Sequence, residues 1–175
     1  MDVDGRLCMI LIYYDDLLLA CQKKKDIIDI KTKISIKFEC VDKGQVEMFL
    51  GMQIKREGEI GAIQMNQQLY IKDMLEKHNM LNCRPVPTPL DPGFQIACCK
   101  SDCVLEDPVQ YQSVIGELMW LALTSRPDIY HSVVKLAQRN KEPHNEHVAA
   151  VKHLFRYLGA TIDHNLNYRR CGGAL

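Results

Sequence analysis

Two adjacent carboxylates constrain how the first part of the chain can fold. Asp15 and Asp16 separate two apolar segments, residues 7–13 and 17–21, which are rich in the residue types that favour buried strands. Burying a charged group without a partner costs several kcal/mol, so the pair is not expected inside a packed layer. We therefore predict a β-hairpin that carries both carboxylates at its tip.

The rest of the first half alternates between helical and hairpin patterns. A second hairpin is predicted from residues 46–56 and 60–65, which are separated by Glu57-Gly58-Glu59, with the glycine supplying the turn. A short helix is then expected to end near Asn79. Between the two hairpins, the spacing i, i+3, i+7 and i+11 predicts the apolar face of another helix, formed by Ile27, Ile30, Ile34 and Phe38.

The second half of the chain has a helical pattern that follows an irregular connector. Residues 82–107 hold four of the seven prolines and three of the eight cysteines, a composition typical of a connector. Helical spacing of apolar residues then predicts three helices with short links, the pattern of a small bundle. The fold class expected is α+β. Its parts are a mixed region 1–81, the connector 82–107, a helical region 108–168 and a tail 169–175.

Length and composition exclude several classes of protein. A chain of 175 residues can bury a real core, and 22 basic against 22 acidic residues give no support to a polybasic binding role. The longest apolar run, residues 7–14, is shorter than the roughly 20 residues of a membrane span and does not resemble a signal peptide. Eight cysteines without a secretory signal are typical of reduced thiols. We therefore expect a cytoplasmic or nuclear protein that is neither secreted nor membrane-bound.

The residue types at the predicted hairpin tip leave two interpretations open. The first is an ordinary polar turn in solvent. The second is a site for Mg²⁺, which prefers hard oxygen ligands and often binds one or two carboxylates together with substrate phosphates. A two-metal centre of this kind could activate a 3′-hydroxyl and stabilise a pyrophosphate leaving group. Two adjacent carboxylates would need at least one more, from another strand, to complete it.

Six short motifs lie within a region of resemblance that runs from about residue 4 to residue 168, nearly the whole chain. They lie at residues 11–18, which include Tyr13-Tyr14-Asp15-Asp16, and at 49–56, 82–90, 111–116, 125–129 and 153–158. Taken in this order, they resemble the copia-type retrotransposon branch of the reverse transcriptases. The Tyr-x-Asp-Asp motif alone is weakly specific, whereas six motifs in family order are strongly specific.

This resemblance implies a partial palm over 1–81 and a three-helix thumb after the connector. In the intact family, the reaction is templated addition of deoxynucleotides with Mg²⁺. The resemblance makes Asp15 the firmer metal ligand, Asp16 the second catalytic carboxylate, and Tyr14 the nucleotide-positioning residue in the variable slot. The implied partners are a primer-template nucleic acid, a deoxynucleoside triphosphate and an upstream palm and fingers segment.

The second hairpin would correspond to the primer-holding element of the family. Its candidate contacts to primer or template are Gly51, Lys55 and Arg56, with the two basic side chains directed at backbone phosphate. Solvated charges at the end of a strand are an equally good interpretation of Lys55 and Arg56.

The departures from the family pattern limit what the chain is expected to do alone. The family places its first catalytic aspartate and its fingers before these motifs, and a ribonuclease H domain after them. Asp2 and Asp4 are too close to the Tyr-x-Asp-Asp motif to replace that aspartate, and Lys43 stands where the family usually has leucine. We therefore predict a reverse transcriptase fragment that is inactive alone. The alternative is a non-catalytic retrotransposon-derived remnant that binds nucleic acid or a protein partner.

Other residues have plainer interpretations. Cys98, Cys99 and Cys103 form a cluster without the second half that a metal site needs, so loop thiols are favoured. His144, His147 and His153 are favoured as a helix-start histidine with exposed or half-buried neighbours, and not as a zinc site.

Two charge patterns remain in the second half. Arg126 is expected to pair with Asp128 and hold the turn between two helices. From Lys135 onward, seven basic residues against three acidic ones give an excess of +4, which suits either a thumb lying on a duplex or ordinary solvated helix faces.

Overall fold

A computed structural model describes residues 2–3, 6–58, 61–96 and 107–169. The chain divides into two compact units, residues 1–46 and residues 47–175. Both contain helices and antiparallel strands, so the mixed α and β composition predicted for the chain is confirmed.

The first unit contains the predicted acidic hairpin. Its strands pair antiparallel in the order β1-β2-β3, and the register of β2 and β3 runs from Cys8 opposite Cys21 to Tyr13 opposite Asp16. A two-residue loop, Tyr14-Asp15, joins them at the tip, one residue earlier than the predicted turn at Asp15 and Asp16. The elements of this unit are β1 (Asp2–Val3), β2 (Arg6–Tyr13), β3 (Asp16–Cys21) and α1 (Lys24–Ser35).

Helix α1 is shorter than its apolar pattern predicts. It ends at Ser35, so Phe38, which was expected on its apolar face, lies beyond it and is exposed. The hydroxyls of Thr32 and Ser35 donate hydrogen bonds to the carbonyl oxygens of Ile28 and Lys31, at 2.9 and 2.8 Å. Such bonds compete with the helical pattern of the backbone, and they mark where this helix stops.

The described residues of the second unit form a four-stranded antiparallel sheet and four α-helices. The strand order is β4-β5-β6-β7, which means that the last strand in the sequence lies at an edge beside β6. The elements are β4 (Met48–Phe49), β5 (Met52–Arg56), β6 (Ile63–Asn66), α2 (Gln68–Lys77), α3 (Val109–Thr124), α4 (Tyr130–Ala137), α5 (Asn145–Ala160) and β7 (Leu166–Tyr168).

The sheet differs from the prediction in two places. A tight turn at Leu50 and Gly51 breaks the strand predicted over 46–56 into β4 and β5. Both residues have positive φ, +50° and +75°, as the two central residues of a type I′ turn require. Residues 166–168, assigned to the helical region by their position, instead form β7, in which Tyr168 pairs with Ile63. The second predicted hairpin, β5 with β6, is present, although Glu59 and Ile60 lie outside the described residues.

The three helices predicted after the connector are α3, α4 and α5, and α4 is preceded by a 3₁₀ turn at Pro127–Ile129. Their apolar faces form one buried core, to which α2 also contributes Ile71, Met74 and Leu75. Among the described residues, none of these helices has the length and apolar character that crossing a bilayer demands.

An ion pair between buried Arg126 and partly exposed Asp128 lies where the turn after α3 meets the end of α5. The Arg126 side chain is 2% exposed, and its Nε and Nη2 donate to Asp128 Oδ1 and Oδ2 at 3.0 and 2.8 Å. Its Nη1 and Nη2 also donate to the carbonyl oxygen and Oγ1 of Thr161, at 3.0 and 2.6 Å, and Tyr157 donates its hydroxyl to Asp128 Oδ2 at 2.9 Å. The predicted pairing of Arg126 with Asp128 is confirmed.

The connector is held against the helices by contacts to its backbone. Lys135 Nζ donates to the Phe94 oxygen at 3.1 Å, Arg139 Nη2 to the Ile96 oxygen at 3.1 Å, and Arg156 Nε to the Arg84 oxygen at 2.7 Å. The described part of the connector, residues 82–96, contains neither helix nor strand, as predicted. Three of the seven basic residues counted from position 135 therefore have a structural contact.

Two glycines of the second unit give a matched test of the turn. A Cβ at Gly51 or at Gly116 would meet no described atom within 4 Å, so only backbone conformation separates the two sites. Gly51→Ala is expected to destabilise the unit by about 1–2 kcal/mol, because φ is positive there. Gly116→Ala in α3 is expected to stabilise it by about 0.5–1 kcal/mol. Urea denaturation measures both, and equal effects would contradict the turn assignment.

The ion pair predicts a pH dependence of stability. Burial alone would raise the pKa of Asp128, but the hydrogen bonds and charge of Arg126 and the Tyr157 hydroxyl outweigh burial and lower it. Ionised Asp128 therefore stabilises the fold above its unfolded pKa of about 3.9, and this stability is lost as pH falls through the lower folded-state pKa.

Asp128→Asn is accordingly expected to reduce the free energy of unfolding at neutral pH, because it removes the charge that Arg126 is paired with. The expected loss is about 1–3 kcal/mol, and the partial exposure of Asp128 keeps it from being larger. The difference from the wild type should begin to narrow below about pH 4, as the unfolded wild-type chain binds a proton at Asp128, and it should close as pH falls through the lower folded-state pKa. Denaturation followed from pH 7 to pH 3 measures it. Asp73→Asn, at an exposed position of α2, is the control, and a loss that is the same at every pH would contradict the role of the ionised group.

Candidate functional site

The tip of the first hairpin is formed by Tyr14 and Asp15, between the last paired residues Tyr13 and Asp16. Tyr14 has φ of +50°, and its side chain is 92% exposed. A bulky L-residue in the left-handed region costs roughly 1–2 kcal/mol. Backbone strain is therefore present at the position beside both carboxylates, which is where strained residues often accompany function.

The two carboxylates lie in different local settings. Asp15 is in the loop, whereas Asp16 is the first residue of β3 and is held by strand pairing. Both residues are exposed. The predicted place in the turn is confirmed for Asp15, whereas Asp16 closes the strand pairing beside the turn. Asp16 Oδ1 also accepts a hydrogen bond from Lys43 Nζ at 3.4 Å. Sequence reasoning noted Lys43 only as a departure from the family pattern, and nothing in the spacing of the two residues indicates this contact.

A metal ion at the tip would find two carboxylates and solvent. No cluster of three or more His, Cys, Asp or Glu side chains suited to a metal occurs within the described ranges. Two hard oxygen donors in an exposed turn fit Mg²⁺ when waters and substrate phosphates supply the other ligands. The donor set is therefore chemically suitable, with other ligands still to come from outside the hairpin.

Asp2 is not placed to complete the pair. Its backbone pairs with Leu7 at one end of β2, whereas Asp16 pairs with Tyr13 at the other end. Leu7 and Tyr13 are six positions apart on β2, which corresponds to roughly 20 Å. This agrees with the prediction that Asp2 does not replace a missing aspartate, and Asp4 lies outside the described residues.

The candidate primer or template residues lie in the second unit. Lys55 and Arg56 are exposed near the end of β5, opposite Gln64 and Ile63 of β6. Gly51 has a conformational role, because the turn between β4 and β5 requires positive φ there.

The three histidines of the last helix have structural contacts. His147 is 0% exposed, and its Nδ1 accepts a hydrogen bond from the His144 backbone N–H at 2.9 Å, which caps the start of α5. Burial lowers the pKa of His147, and the charges of His144 and Arg139 lower it further. His153 Nε2 lies 2.9 Å from the Thr88 oxygen. His147 was expected to be exposed or half-buried, and this was wrong because its ring forms the cap inside the core. The cysteines at 98, 99 and 103 lie outside the described residues.

The chain is similar to known proteins over most of its length. Residues 1–92 match the family model described as reverse transcriptase (RNA-dependent DNA polymerase). The retrovirus-related Pol polyprotein from transposon TNT 1-94 of Nicotiana tabacum is 33% identical over 163 residues, which cover 90% of this chain and 12% of the polyprotein. The Pol polyprotein from transposon RE1 of Arabidopsis thaliana is 33% identical over 156 residues, covering 89% of this chain and 10% of that one.

A shorter relative covers nearly the same region. An uncharacterized mitochondrial protein of Arabidopsis thaliana is 33% identical over 157 residues, which are 90% of this chain and 63% of that protein. The chain thus spans about a tenth of the length of the two polyproteins. No solved structure matches the chain.

Proposed function

Because the chain belongs to the reverse transcriptase (RNA-dependent DNA polymerase) family, as a domain of the kind found in retrotransposon Pol polyproteins, we propose that it forms part of a site for templated DNA synthesis. The observation that carries this proposal is the hairpin tip, where Asp15 and Asp16 are exposed next to a strained Tyr14. Residues 1–81 would belong to the palm, and α3, α4 and α5 to the thumb.

In the proposed site, Asp15 and Asp16 hold Mg²⁺. When bound, the metal would neutralise charge on the nucleotide phosphates and favour ionisation of the primer 3′-hydroxyl. Asp16, fixed by strand pairing with Tyr13, gives the site one rigid ligand, while Asp15 in the loop can adjust to the ion. Tyr14 offers an exposed aromatic ring against which a nucleotide can be positioned.

The primer and template would be bound through backbone phosphate. Lys55 and Arg56 are exposed cations at consecutive positions of β5, and each carries the charge that a contact to backbone phosphate needs. Because side chains alternate along a strand, the two project to opposite faces of the sheet, so each would make a separate contact. Gly51 would act indirectly, by allowing the turn that sets where β5 begins.

The first unit has an exposed apolar surface to which another segment would bind. Leu7, Met9 and Leu11 alternate along β2 and are each more than half exposed, so one face of the hairpin presents contiguous apolar side chains to solvent. Faces of this kind usually mark an interface. The proposed occupant is the upstream palm and fingers segment, which would also bring the further carboxylate that the metal site needs.

The proposed compartment is the cytoplasm or nucleus. Cys40 and Cys83 are free thiols in the described part of the chain, a state that reducing compartments maintain.

A primer-extension assay tests the proposed function. The purified chain with Mg²⁺, deoxynucleotides and a primer-template is expected to give no extension, because its described residues supply only two grouped carboxylates. A fusion to the upstream segment of the TNT 1-94 polyprotein is expected to extend the primer. Asp15→Asn with Asp16→Asn should abolish that activity.

Asp29→Asn, an exposed aspartate on α1, is the matched control and should keep the activity of the fusion. Extension by the chain alone that vanishes in the double variant would contradict its proposed dependence on another segment. A fusion that is active with both carboxylates replaced would contradict the proposed metal site.

A second candidate function is non-catalytic binding of nucleic acid by the helical region. The supporting observation is the excess of four positive charges from Lys135 onward. Two of the basic residues, Lys141 and Lys152, are exposed. The contacts of Lys135, Arg139 and Arg156 to connector carbonyls leave their positive charges in place.

Binding of a primer-template duplex at increasing salt tests this candidate. Lys141→Gln with Lys152→Gln is expected to weaken binding and to reduce the slope of log affinity against log salt by about two, since each lysine would neutralise one phosphate. Lys72→Gln, at an exposed position of α2, is the control. A double variant with the wild-type slope would contradict a role for these two lysines.

A further inference from the structure

Lys43 contacts one of the two candidate metal ligands, Asp16, directly. Lys43 Nζ lies 3.4 Å from Asp16 Oδ1, and the two side chains are 82% and 51% exposed. Both residues belong to the first unit, so the contact lies within one compact body. An ammonium group at this position places positive charge beside the oxygen that a divalent cation would bind.

The position of Lys43 is set by the residues on either side of it. Asp42 Oδ1 accepts a hydrogen bond from the Gly44 backbone N–H at 2.9 Å and another from Lys31 Nζ of α1 at 2.7 Å. Gly44 has φ of +79°, a conformation suited to glycine, which allows the chain to turn immediately after Lys43. The pKa of Asp42 is lowered, first by the hydrogen bond from Lys31 and then by that from Gly44, so its carboxylate stays ionised and keeps the turn closed.

From this geometry we propose that Lys43 competes with the divalent cation for Asp16 and so lowers the affinity of the hairpin tip for metal. The inference rests on the proposed metal site of Asp15 and Asp16. Before the ion can use Asp16 Oδ1, the ammonium group must leave it, and after it has left it still repels the ion at short range. Lys43 is thus a positioning residue that acts on the metal through a ligand, and it is not itself a ligand.

The size of the effect follows from the exposure of the pair. Exposed ion pairs contribute little, and the upper part of their measured range corresponds to a change of about two- to fivefold in a binding constant. Lys43 is therefore expected to tune the affinity of the tip without abolishing binding. Because its side chain is largely exposed, replacing it is not expected to disturb the fold.

The test is Mn²⁺ binding to the full chain without nucleic acid or nucleotide, measured by the electron paramagnetic resonance signal of the free ion. Lys43→Met removes the charge and keeps the length of the side chain. Lys33→Met, at an exposed position near the end of α1, is the matched control for the loss of one positive charge. At about 0.15 M salt, charges separated by more than roughly 8 Å are largely screened, so direct contact dominates.

The expected result is that Lys43→Met lowers the Kd for Mn²⁺ by about two- to fivefold, while Lys33→Met leaves it unchanged. Asp15→Asn with Asp16→Asn should remove this binding. If the double variant loses binding but Lys43→Met has the wild-type Kd or a weaker one, the competition is wrong and the metal site stands. If the double variant binds Mn²⁺ as the wild type does, the metal site itself is wrong and the inference falls with it.

Discussion

The second unit is organised around a guanidinium group that is almost wholly removed from water. A buried charge is tolerated only when its donors are satisfied, and Arg126 makes four hydrogen bonds, two to Asp128 and two to Thr161. Thr161 follows the last residue of α5, and the chain then turns back to form β7. One side chain thus fixes both the turn after α3 and the point at which α5 ends and the chain returns to the sheet.

The two units differ sharply in how much core they contain. The helices of the second unit bury apolar side chains along their whole contact, whereas the buried residues described in the first unit are Cys8 and Asp26. The first unit nevertheless carries the carboxylates, the strained Tyr14 and the Lys43 contact. The proposed chemistry therefore lies in the part of the chain that has the least packing of its own, which is consistent with a unit that is completed by another segment.

The sequence was informative where local chemistry dictates structure. The hairpin tip follows from the cost of burying Asp15 and Asp16, and the three helices follow from apolar spacing. The Leu50-Gly51 turn was missed because it lacks the Asn-Gly or Asp-Gly signal of such turns. Strand β7 was missed because three residues are too few to show an alternating apolar pattern.

Pairings between distant residues were the other gap. Lys43 and Asp16 are 27 residues apart, and no periodic pattern connects two exposed charges at such a distance. The burial of His147 was missed for a related reason, since its bond to the backbone N–H of His144 depends on how the chain enters α5. The roles assigned to Tyr14, Lys55 and Arg56 come from resemblance, because exposure alone does not distinguish a ligand contact from a solvated side chain.

The contacts that hold the connector have a consequence for its tolerance to mutation. Lys135, Arg139 and Arg156 donate to main-chain oxygens, and every amino acid offers the same oxygen. Replacing the side chain of Arg84 or Ile96 therefore removes none of these three bonds, provided that the backbone keeps its path. The three donors have no such freedom, because each must keep its reach and its N–H groups. These three bonds therefore constrain the sequence at the three helix positions and not at the connector residues whose oxygens accept them.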